Sequence, residues 1–242
     1  MDGYEPAMSF GEATASTYDD EPRGDEEDAV AFLAELAGDG HALELAIGTG
    51  RIALPLAARG VRVDGIDISP AMVARLRAKP GGDQLAVTMG DFADVAVEGS
   101  YRLIYVVFNT FHNLLSQQDQ VRCVENVARH LTDDGVFVVE AMVPNFLHQL
   151  RDGQYVHVES LDVDEVWLDI GSHDPIEQRH DETHVRLSND GVQLYPIVQR
   201  YTWPSELDLM ARMAGLRLKE RWDSWTREPF TSTANVVSVY GR

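Results

Sequence analysis

Five short apolar runs alternate with helical segments between residues 41 and 143, and this alternation constrains the fold more than any other feature of the sequence. Nearly continuous apolar runs are typical of parallel strands that helices cover on both faces, because neither face of such a strand meets water. We therefore predict an α/β fold with a doubly wound parallel sheet. The predicted strands are residues 42–46, 61–67, 85–91, 102–109 and 136–143, with a turn at 133–135 before the fifth.

Helix signals fill the intervals between these runs. Asp25 is placed to cap a helix over 26–38, which Gly38 can end. Ser69 and Pro70 are an N-cap and a first helical residue, and Ser116 can cap a further helix that precedes the fifth strand.

The pattern changes after residue 144. Residues 154–170 and 176–203 alternate between apolar and polar side chains, and Asn189–Gly191 has the composition of a hairpin turn. We predict an inserted antiparallel β layer over about 152–203. A last helix ending at Gly215 and two closing strands follow, while residues 1–24 form an acidic N-terminal arm. With no internal repeat or linker, residues 1–242 are expected to form one domain.

A glycine-containing turn follows the first predicted strand. Gly48 and Gly50 lack a Cβ, so the backbone can turn tightly there and approach a ligand closely. Asp67 ends the second strand, where a carboxylate can accept hydrogen bonds from both hydroxyls of a ribose. Together they favour an adenosine-containing ligand, and with Ala53 the turn also satisfies the looser G-x-G-x-x-A pattern of dinucleotide-binding proteins.

Two further strand ends carry polar or aromatic groups. Gly90, Asp91 and Phe92 follow the third strand, where the carboxylate can accept from an adenine amino group and an apolar side chain can cover the ring. Asn109 and Thr110 follow the fourth strand, at the carboxyl edge where ligands of such sheets bind.

The segments ELAIGTG, GIDIS, GDF and FNT, in this order and spacing, resemble the class I S-adenosylmethionine-dependent methyltransferases. The resemblance covers about residues 40–142. It implies a Rossmann-like sheet of seven strands, the last antiparallel and inserted beside the sixth. It also implies S-adenosylmethionine as cofactor and S-adenosylhomocysteine as product. Ala46 is a departure, since the family usually has its first glycine there.

The resemblance assigns the cofactor contacts residue by residue. The Glu44–Gly50 loop would hold the methionine part, Asp67 the ribose and Asp91 the adenine amine. Ile68 would pack on the adenine ring, and Asn109 would contact the methionine end. The full predicted cofactor set is Glu44, Ala46, Gly48, Thr49, Gly50, Asp67, Ile68, Gly90, Asp91, Phe92, Asn109 and Thr110.

The tail from Tyr201 to Phe230 resembles the end of many bacterial small-molecule methyltransferases, in which antiparallel strands cap the substrate pocket. The expected activity is transfer of a methyl group to an N or O nucleophile of a small molecule in specialised metabolism. The sequence NTFH after the fourth strand differs from the (N/D)PP(Y/F) motif of N6-adenine and glutamine methyltransferases. Two alternatives stay open: an NAD-dependent oxidoreductase, and a non-catalytic S-adenosylmethionine-binding protein.

Three residues are candidates for catalysis or substrate contact. His112 lies at the ligand edge of the sheet and has a suitable intrinsic pKa for a base; the alternative is a histidine at a helix start with no chemistry. Glu140 ends the fifth strand and could face the substrate. Tyr18 in the arm could contact methionine or substrate, or be a surface tyrosine.

Composition and local sequence argue against several classes of partner and against a bound metal. The chain has 40 acidic and 20 basic residues and a net charge of −20, which disfavours nucleic acid and anionic membranes. Cys123 is the single cysteine and is expected to be a buried apolar residue. His180 and His184 are predicted on a strand, without the Glu that a zincin helix requires, so no metal is expected. No signal peptide or membrane span is evident, which predicts a cytoplasmic protein.

The acidic residues are unevenly distributed. Residues 1–28 hold ten carboxylates against Arg23, and residues 152–182 hold ten against Arg179. Both segments are expected to border the substrate, which suggests an amine acceptor steered by charge, with a merely solvated surface as the alternative. The β insertion is also a candidate surface for a homodimer.

Overall fold

A mostly parallel sheet of seven strands organises the part of the chain that the structure, a computed structural model, describes: residues 1, 3–20, 23–231 and 235–242. Its strands are β1 (His41–Leu45), β2 (Arg62–Asp67), β3 (Ala86–Met89), β4 (Tyr101–Val106), β5 (Leu131–Met142), β10 (Arg217–Trp222) and β11 (Asn235–Gly241). The inserted strands are β6 (Gln154–Leu161), β7 (Glu165–Asp174), β8 (Arg179–Ser188) and β9 (Gly191–Arg200). The helices are α1 (Pro6–Ser9), α2 (Glu12–Thr17), α3 (Glu26–Ala37), α4 (Ala53–Ala58), α5 (Pro70–Ala78), α6 (Gln117–His130) and α7 (Pro204–Met213).

The strand order is β10-β11-β5-β4-β1-β2-β3. β1 pairs in parallel with β2 and β4, and β4 pairs in parallel with β5. β11 runs antiparallel to both β5 and β10 and lies between them. The predicted fold, including the antiparallel last strand, is confirmed. Because β1 and β4 are neighbours whose helices turn to opposite sides, their carboxyl ends form the crevice in which ligands of such sheets bind.

Apolar side chains from the helices bury both faces of the sheet. Val30 and Leu33 of α3 are buried on one face, and Cys123 and Val124 of α6 are buried on the other. The predicted caps are confirmed for two helices: the Ser69 hydroxyl accepts from the Met72 N–H and the Ser116 hydroxyl from the Asp119 N–H. These bonds satisfy backbone donors that a helix start leaves without a partner.

The predicted turn at 133–135 is wrong, because these residues lie within β5. The strand pairs Leu131 with Tyr101 and Val136 with Leu103, so three extra residues bulge out of the β5 side of the ladder. Gly135 permits this, since a Cβ there would lie 2.9 Å from the Tyr101 carbonyl oxygen.

The predicted antiparallel layer is confirmed as a separate sheet with the order β6-β7-β8-β9. Its last hairpin turns at Asn189–Asp190, with Ser188 paired to Gly191. His180 and His184 lie on β8, as expected. In the arm, α1 packs against β9 and α2 against α5, so the start of the chain joins the inserted sheet to the main domain. Among the described residues no helix is long and apolar enough to cross a membrane.

Candidate active site

The turn between β1 and α4 adopts the conformation that glycine favours. Ala46, Gly48 and Gly50 have φ values of 60°, 56° and 77°, so left-handed residues alternate along the loop. A Cβ on Gly50 would overlap the Leu76 side chain, which explains the glycine at that position. The recorded N–H bonds of this loop stay within the protein: the Ile47 N–H donates to the Ile66 carbonyl and the Gly50 N–H to the Ile47 carbonyl, so the loop is held in a fixed shape at the end of β1.

Asp67 joins this turn to the end of β2. Its Oδ2 accepts a 2.7 Å bond from the Gly48 N–H, and its Oδ1 accepts a 2.7 Å bond from the Ser69 N–H. Burial raises the pKa of this carboxyl, and the backbone donors partly offset the shift. Each oxygen keeps further acceptor capacity for a ligand hydroxyl.

A cleft of about 660 Å³ opens in front of Asp67. Eight of the predicted site residues line it: Tyr18, Ala46, Gly48, Asp67, Ile68, Asp91, Phe92 and Thr110. Five lining residues were not predicted from the sequence: Pro6, Phe10, Met72, Asn113 and Leu114. Two of these five come from the arm, and the three others lie on α5 or after β4, where no local sequence motif distinguishes them.

The end of the cleft beside β2 and β3 is apolar with one carboxylate. Ile68 leaves 44% of its surface exposed although it is a large aliphatic residue, and Phe92 lies at the same wall. The Asp91 Oδ1 accepts from the Ala93 N–H at 2.8 Å, which fixes the carboxylate at the cleft. Such a wall can hold an aromatic ring and accept a hydrogen bond from an amino group at its edge. The Gly90 N–H donates to the Asp67 carbonyl and keeps the two strand ends together.

Glu44 lies beneath the turn, outside the residues that line the cleft. Its side chain is buried and accepts a 3.0 Å bond from the Tyr105 hydroxyl. Burial raises the pKa of Glu44 to about 8, although the Tyr105 bond and the Arg51 charge oppose the shift. Glu44 therefore supports the loop as a largely neutral acid at pH 7.

The turn after β4 is strained at two consecutive residues. Phe108 and Asn109 have φ values of 60° and 59°. The Phe108 N–H donates to the Glu140 Oε2 at 2.7 Å, and the Asn109 Oδ1 accepts from the Met142 N–H. Asn109 thus uses its side-chain oxygen within the protein, and the structure does not place it among the residues that line the cleft.

Glu140 and His112 also lie outside the cleft. Glu140 is buried beside a second cavity that Asp25, Asp28 and Trp225 help to line, and burial raises its pKa. His112 is fully buried; its Nε2 accepts from the Thr202 N–H, and burial lowers its pKa to about 3. A neutral imidazole in this position accepts a proton poorly near pH 7.

The arm is fastened over the glycine turn by Asp19, which was not predicted. The Asp19 Oδ1 accepts from the Thr49 hydroxyl at 2.7 Å, and its Oδ2 lies 2.7 Å from the Lys79 Nζ. Lys79 also donates to the Thr49 carbonyl. The sequence gave one weak signal for this contact: Lys79 is one of two lysines in the chain.

Comparisons with known proteins match this geometry. Residues 42–135 match a family described as a methyltransferase domain. The structure of an S-adenosylmethionine-dependent methyltransferase from Clostridium acetobutylicum has the same fold, with a TM-score of 0.78 at 15% identity over 95% of this chain and 96% of that one. The CcbJ methyltransferase from Streptomyces caelestis is 35% identical, with a TM-score of 0.92 over 98% of this chain and 99% of that one. The chain belongs to the class I S-adenosylmethionine-dependent methyltransferases.

A cypemycin N-terminal methyltransferase from a Streptomyces species is a further relative of this methyltransferase, 25% identical over 199 residues, or 81% of this chain and 80% of that protein. The cofactor is S-adenosylmethionine, and the residues of the cleft fit it. The charged side chains that line the cleft are the carboxylates Asp67 and Asp91, which suit hydroxyls, an amine and a sulfonium. The family match and the 35% identical methyltransferase structure identify a methyltransferase, so the oxidoreductase alternative is wrong.

Proposed function

We propose that this methyltransferase transfers the methyl group of S-adenosylmethionine to an amine nitrogen of a small molecule. The observation that carries the proposal is the cleft itself. In the described part of the chain, its charged lining residues are Asp67 and Asp91, and both are negative. The arm that lines the cleft belongs to residues 1–28, which hold ten carboxylates against one arginine, and this negative charge suits a cationic amine acceptor. The name of the cypemycin relative, an N-terminal methyltransferase, agrees with an amine acceptor.

In this proposal the residues of the cleft hold the cofactor as the family resemblance implies. Asp67 accepts from the ribose hydroxyls, Ile68 and Phe92 cover the adenine, and Asp91 accepts from its amino group. The Asn109 oxygen is taken by Met142, so Asn109 would contact a ligand through its amide N–H or its backbone.

Arg23 is a cationic group beside the turn after β4, where the methionine end of the cofactor is predicted. Its Cζ lies 2.9 Å from the centre of the Phe108 ring and 5.6 Å from that of Tyr18, which lines the cleft. Burial lowers the pKa of Arg23, and the nearby Tyr18 and Glu140 partly offset this shift. A guanidinium stacked on an aromatic ring keeps its donor edge free for a carboxylate, so we assign the methionine carboxylate to Arg23.

The bound cofactor would supply an electrophilic methyl group, and the protein would align the acceptor with it and exclude water from the site. Methyl transfer is an in-line displacement, so alignment of the acceptor nitrogen and exclusion of water dominate the rate. Phe10 and Tyr18 of the arm line the cleft, and in this proposal they shield the reacting groups from solvent once the ligands are bound. An acceptor ammonium must lose its proton to solvent before the free amine attacks the methyl group. Of the three residues predicted for catalysis or substrate contact, Tyr18 is the one that lines the cleft.

A methylation assay with matched acceptors tests the proposal. Small primary and secondary amines, and the alcohols of the same shape, are incubated with S-adenosylmethionine and analysed by mass spectrometry. We expect a 14 Da gain on amines alone, together with S-adenosylhomocysteine. Methylation of the alcohols and not the amines would overturn the choice of nitrogen.

Binding of S-adenosylhomocysteine tests the site assignment separately. Asp67→Ala should weaken affinity at least tenfold, because two hydroxyls lose a charged acceptor worth about 1.5–3 kcal/mol. Asp94→Asn is the matched control, since Asp94 lies three residues from Asp91 but pairs with Arg122 on the surface. Equal loss in both variants would contradict the assignment.

A further inference from the structure

One buried side chain of the cleft has an acceptor atom without a donor. Asn113 lines the cleft and is 8% exposed, and among the residues that the structure describes its Oδ1 has no hydrogen-bond partner. An unpaired acceptor inside a protein is unfavourable, and native proteins keep few of them. Because Asn113 borders the open space of the cleft, a ligand that donates a hydrogen bond there would remove this penalty.

The order of the strands places Asn113 at one end of the cleft. Asn113 ends the short helical turn Thr110–Asn113 that follows β4, and β1 lies between β4 and β2 in the sheet. The wall assigned to adenine, with Ile68 and Phe92, follows β2 and β3. Asn113 therefore lies at the opposite end of the cleft from the adenine, on the side where the methyl group of the cofactor is expected.

The turn that carries Asn113 is held in place from behind. The Nε2 of His112 accepts from the Thr202 N–H, and the turn packs against β9 of the inserted sheet. Helix α1 of the arm also packs against β9, and its Pro6 lines the cleft together with Asn113. Asn113 thus lies where the main domain, the inserted sheet and the arm meet, on a support that can position a substrate.

We propose that the Asn113 Oδ1 accepts an N–H of the acceptor amine and so turns the lone pair of its nitrogen towards the methyl group, an assignment that rests on the proposed function. The lone pair forms the N–C bond while the C–S bond breaks and its electron pair goes to the sulfur. The nitrogen becomes positively charged, so its N–H···O bond strengthens during the reaction and favours the transition state. The product ammonium then releases its proton to solvent.

A neutral amide is suited to this role. A carboxylate in the same place would favour the ammonium form of the acceptor, which has no lone pair for attack, whereas the amide oxygen accepts from the free amine and carries no charge that stabilises the ammonium.

The assignment also sets a specificity among amines. Primary and secondary amines offer an N–H beside the lone pair, but a tertiary amine has none and would leave the Asn113 Oδ1 unpaired. A site built to bind an N–H discriminates strongly against the analogue that lacks it. Methylation should therefore stop at the tertiary amine.

Two acceptors that differ by one methyl group test the assignment: a secondary amine that the wild type methylates, and its N-methyl tertiary form. Mass spectrometry follows the 14 Da gain of each. We expect the wild type to prefer the secondary amine about thirtyfold or more in kcat/KM. Asn113→Leu, of similar size but without an acceptor, should reduce this preference to about threefold or less. Asn126→Leu is the matched control and should keep the preference, because the Asn126 Nδ2 donates to the Ala93 carbonyl outside the cleft.

Further variants keep the test decisive. Asn113→Asp retains an acceptor oxygen and should keep a preference of about tenfold or more, and Asn113→Ala repeats the comparison if Asn113→Leu does not fold. S-adenosylhomocysteine affinity should be equal in the wild type and Asn113→Leu, because the oxygen meets the acceptor and not the cofactor. A tenfold loss of that affinity, or an unchanged preference in Asn113→Leu, would overturn this assignment and leave the proposed function standing. A panel in which no amine is methylated would instead overturn the proposed function, and this assignment with it.

Discussion

At the scale of single residues, Glu44 makes the stability of the fold depend on pH. Its pKa of about 8 in the folded protein exceeds the ordinary glutamate pKa of 4.5. Between these values the folded state holds a proton that the unfolded state has released, so stability falls as pH rises, by about 1.4 kcal/mol per unit at most. Glu44→Gln should remove this slope in urea unfolding measured between pH 5 and 8. Glu27→Gln, at an exposed position, should retain it, and parallel wild-type and Glu44→Gln curves would contradict the shifted pKa.

Arg23 allows a sharper test at the same scale, because two ligands differ in the portion that contains the group it is assigned to bind. S-adenosylhomocysteine carries the amino-acid portion with its carboxylate and ammonium group, and methylthioadenosine lacks this portion as a whole. Arg23→Ala should weaken S-adenosylhomocysteine binding about tenfold or more, the loss of one charge-assisted contact, and leave methylthioadenosine binding unchanged. Calorimetry with both ligands measures the difference. An equal loss for both would show that Arg23 acts through the arm instead of the carboxylate.

At the scale of elements, the arm is held over the cleft by Asp19, which contacts Thr49 and Lys79. Burial would raise the pKa of Asp19, but its bonds to Lys79 and Thr49 lower it overall, so the contact persists through the neutral range. Asp19→Ala should speed S-adenosylhomocysteine release about three- to tenfold in stopped-flow experiments, since partly exposed contacts of this kind contribute about 1 kcal/mol. Asp20→Ala, at the exposed neighbouring position, should release the product at the wild-type rate.

The elements also show how far sequence could predict the site. The parallel sheet followed from the apolar runs, and its seventh, antiparallel strand followed from the family resemblance, because the motifs lie at strand ends that can be located in the sequence. The sequence did not predict that His112 and Glu140 lie outside the cleft. Two left-handed residues after β4 decide which side chains face the cleft, and the Glu140 carboxylate is used to bind the Phe108 N–H. Asp19 lies 30 residues from Thr49, and contacts at such separation leave no periodic signal.

At the scale of the whole molecule, the net charge of −20 leads to a prediction about substrate capture. Half of the 40 acidic residues lie in residues 1–28 and 152–182, and the arm, which carries part of the first group, lies over the cleft. If this acidic rim steers an amine acceptor, kcat/KM should fall about three- to tenfold between 20 and 300 mM salt, because the Debye length shrinks from about 20 Å to below 10 Å.

A neutral acceptor of the same shape separates steering from general salt effects. Its kcat/KM should change less than twofold over the same range, since an uncharged molecule gains nothing from the field. Equal salt dependence for the charged and neutral acceptors would identify the acidic segments as solvated surface without a role in capture.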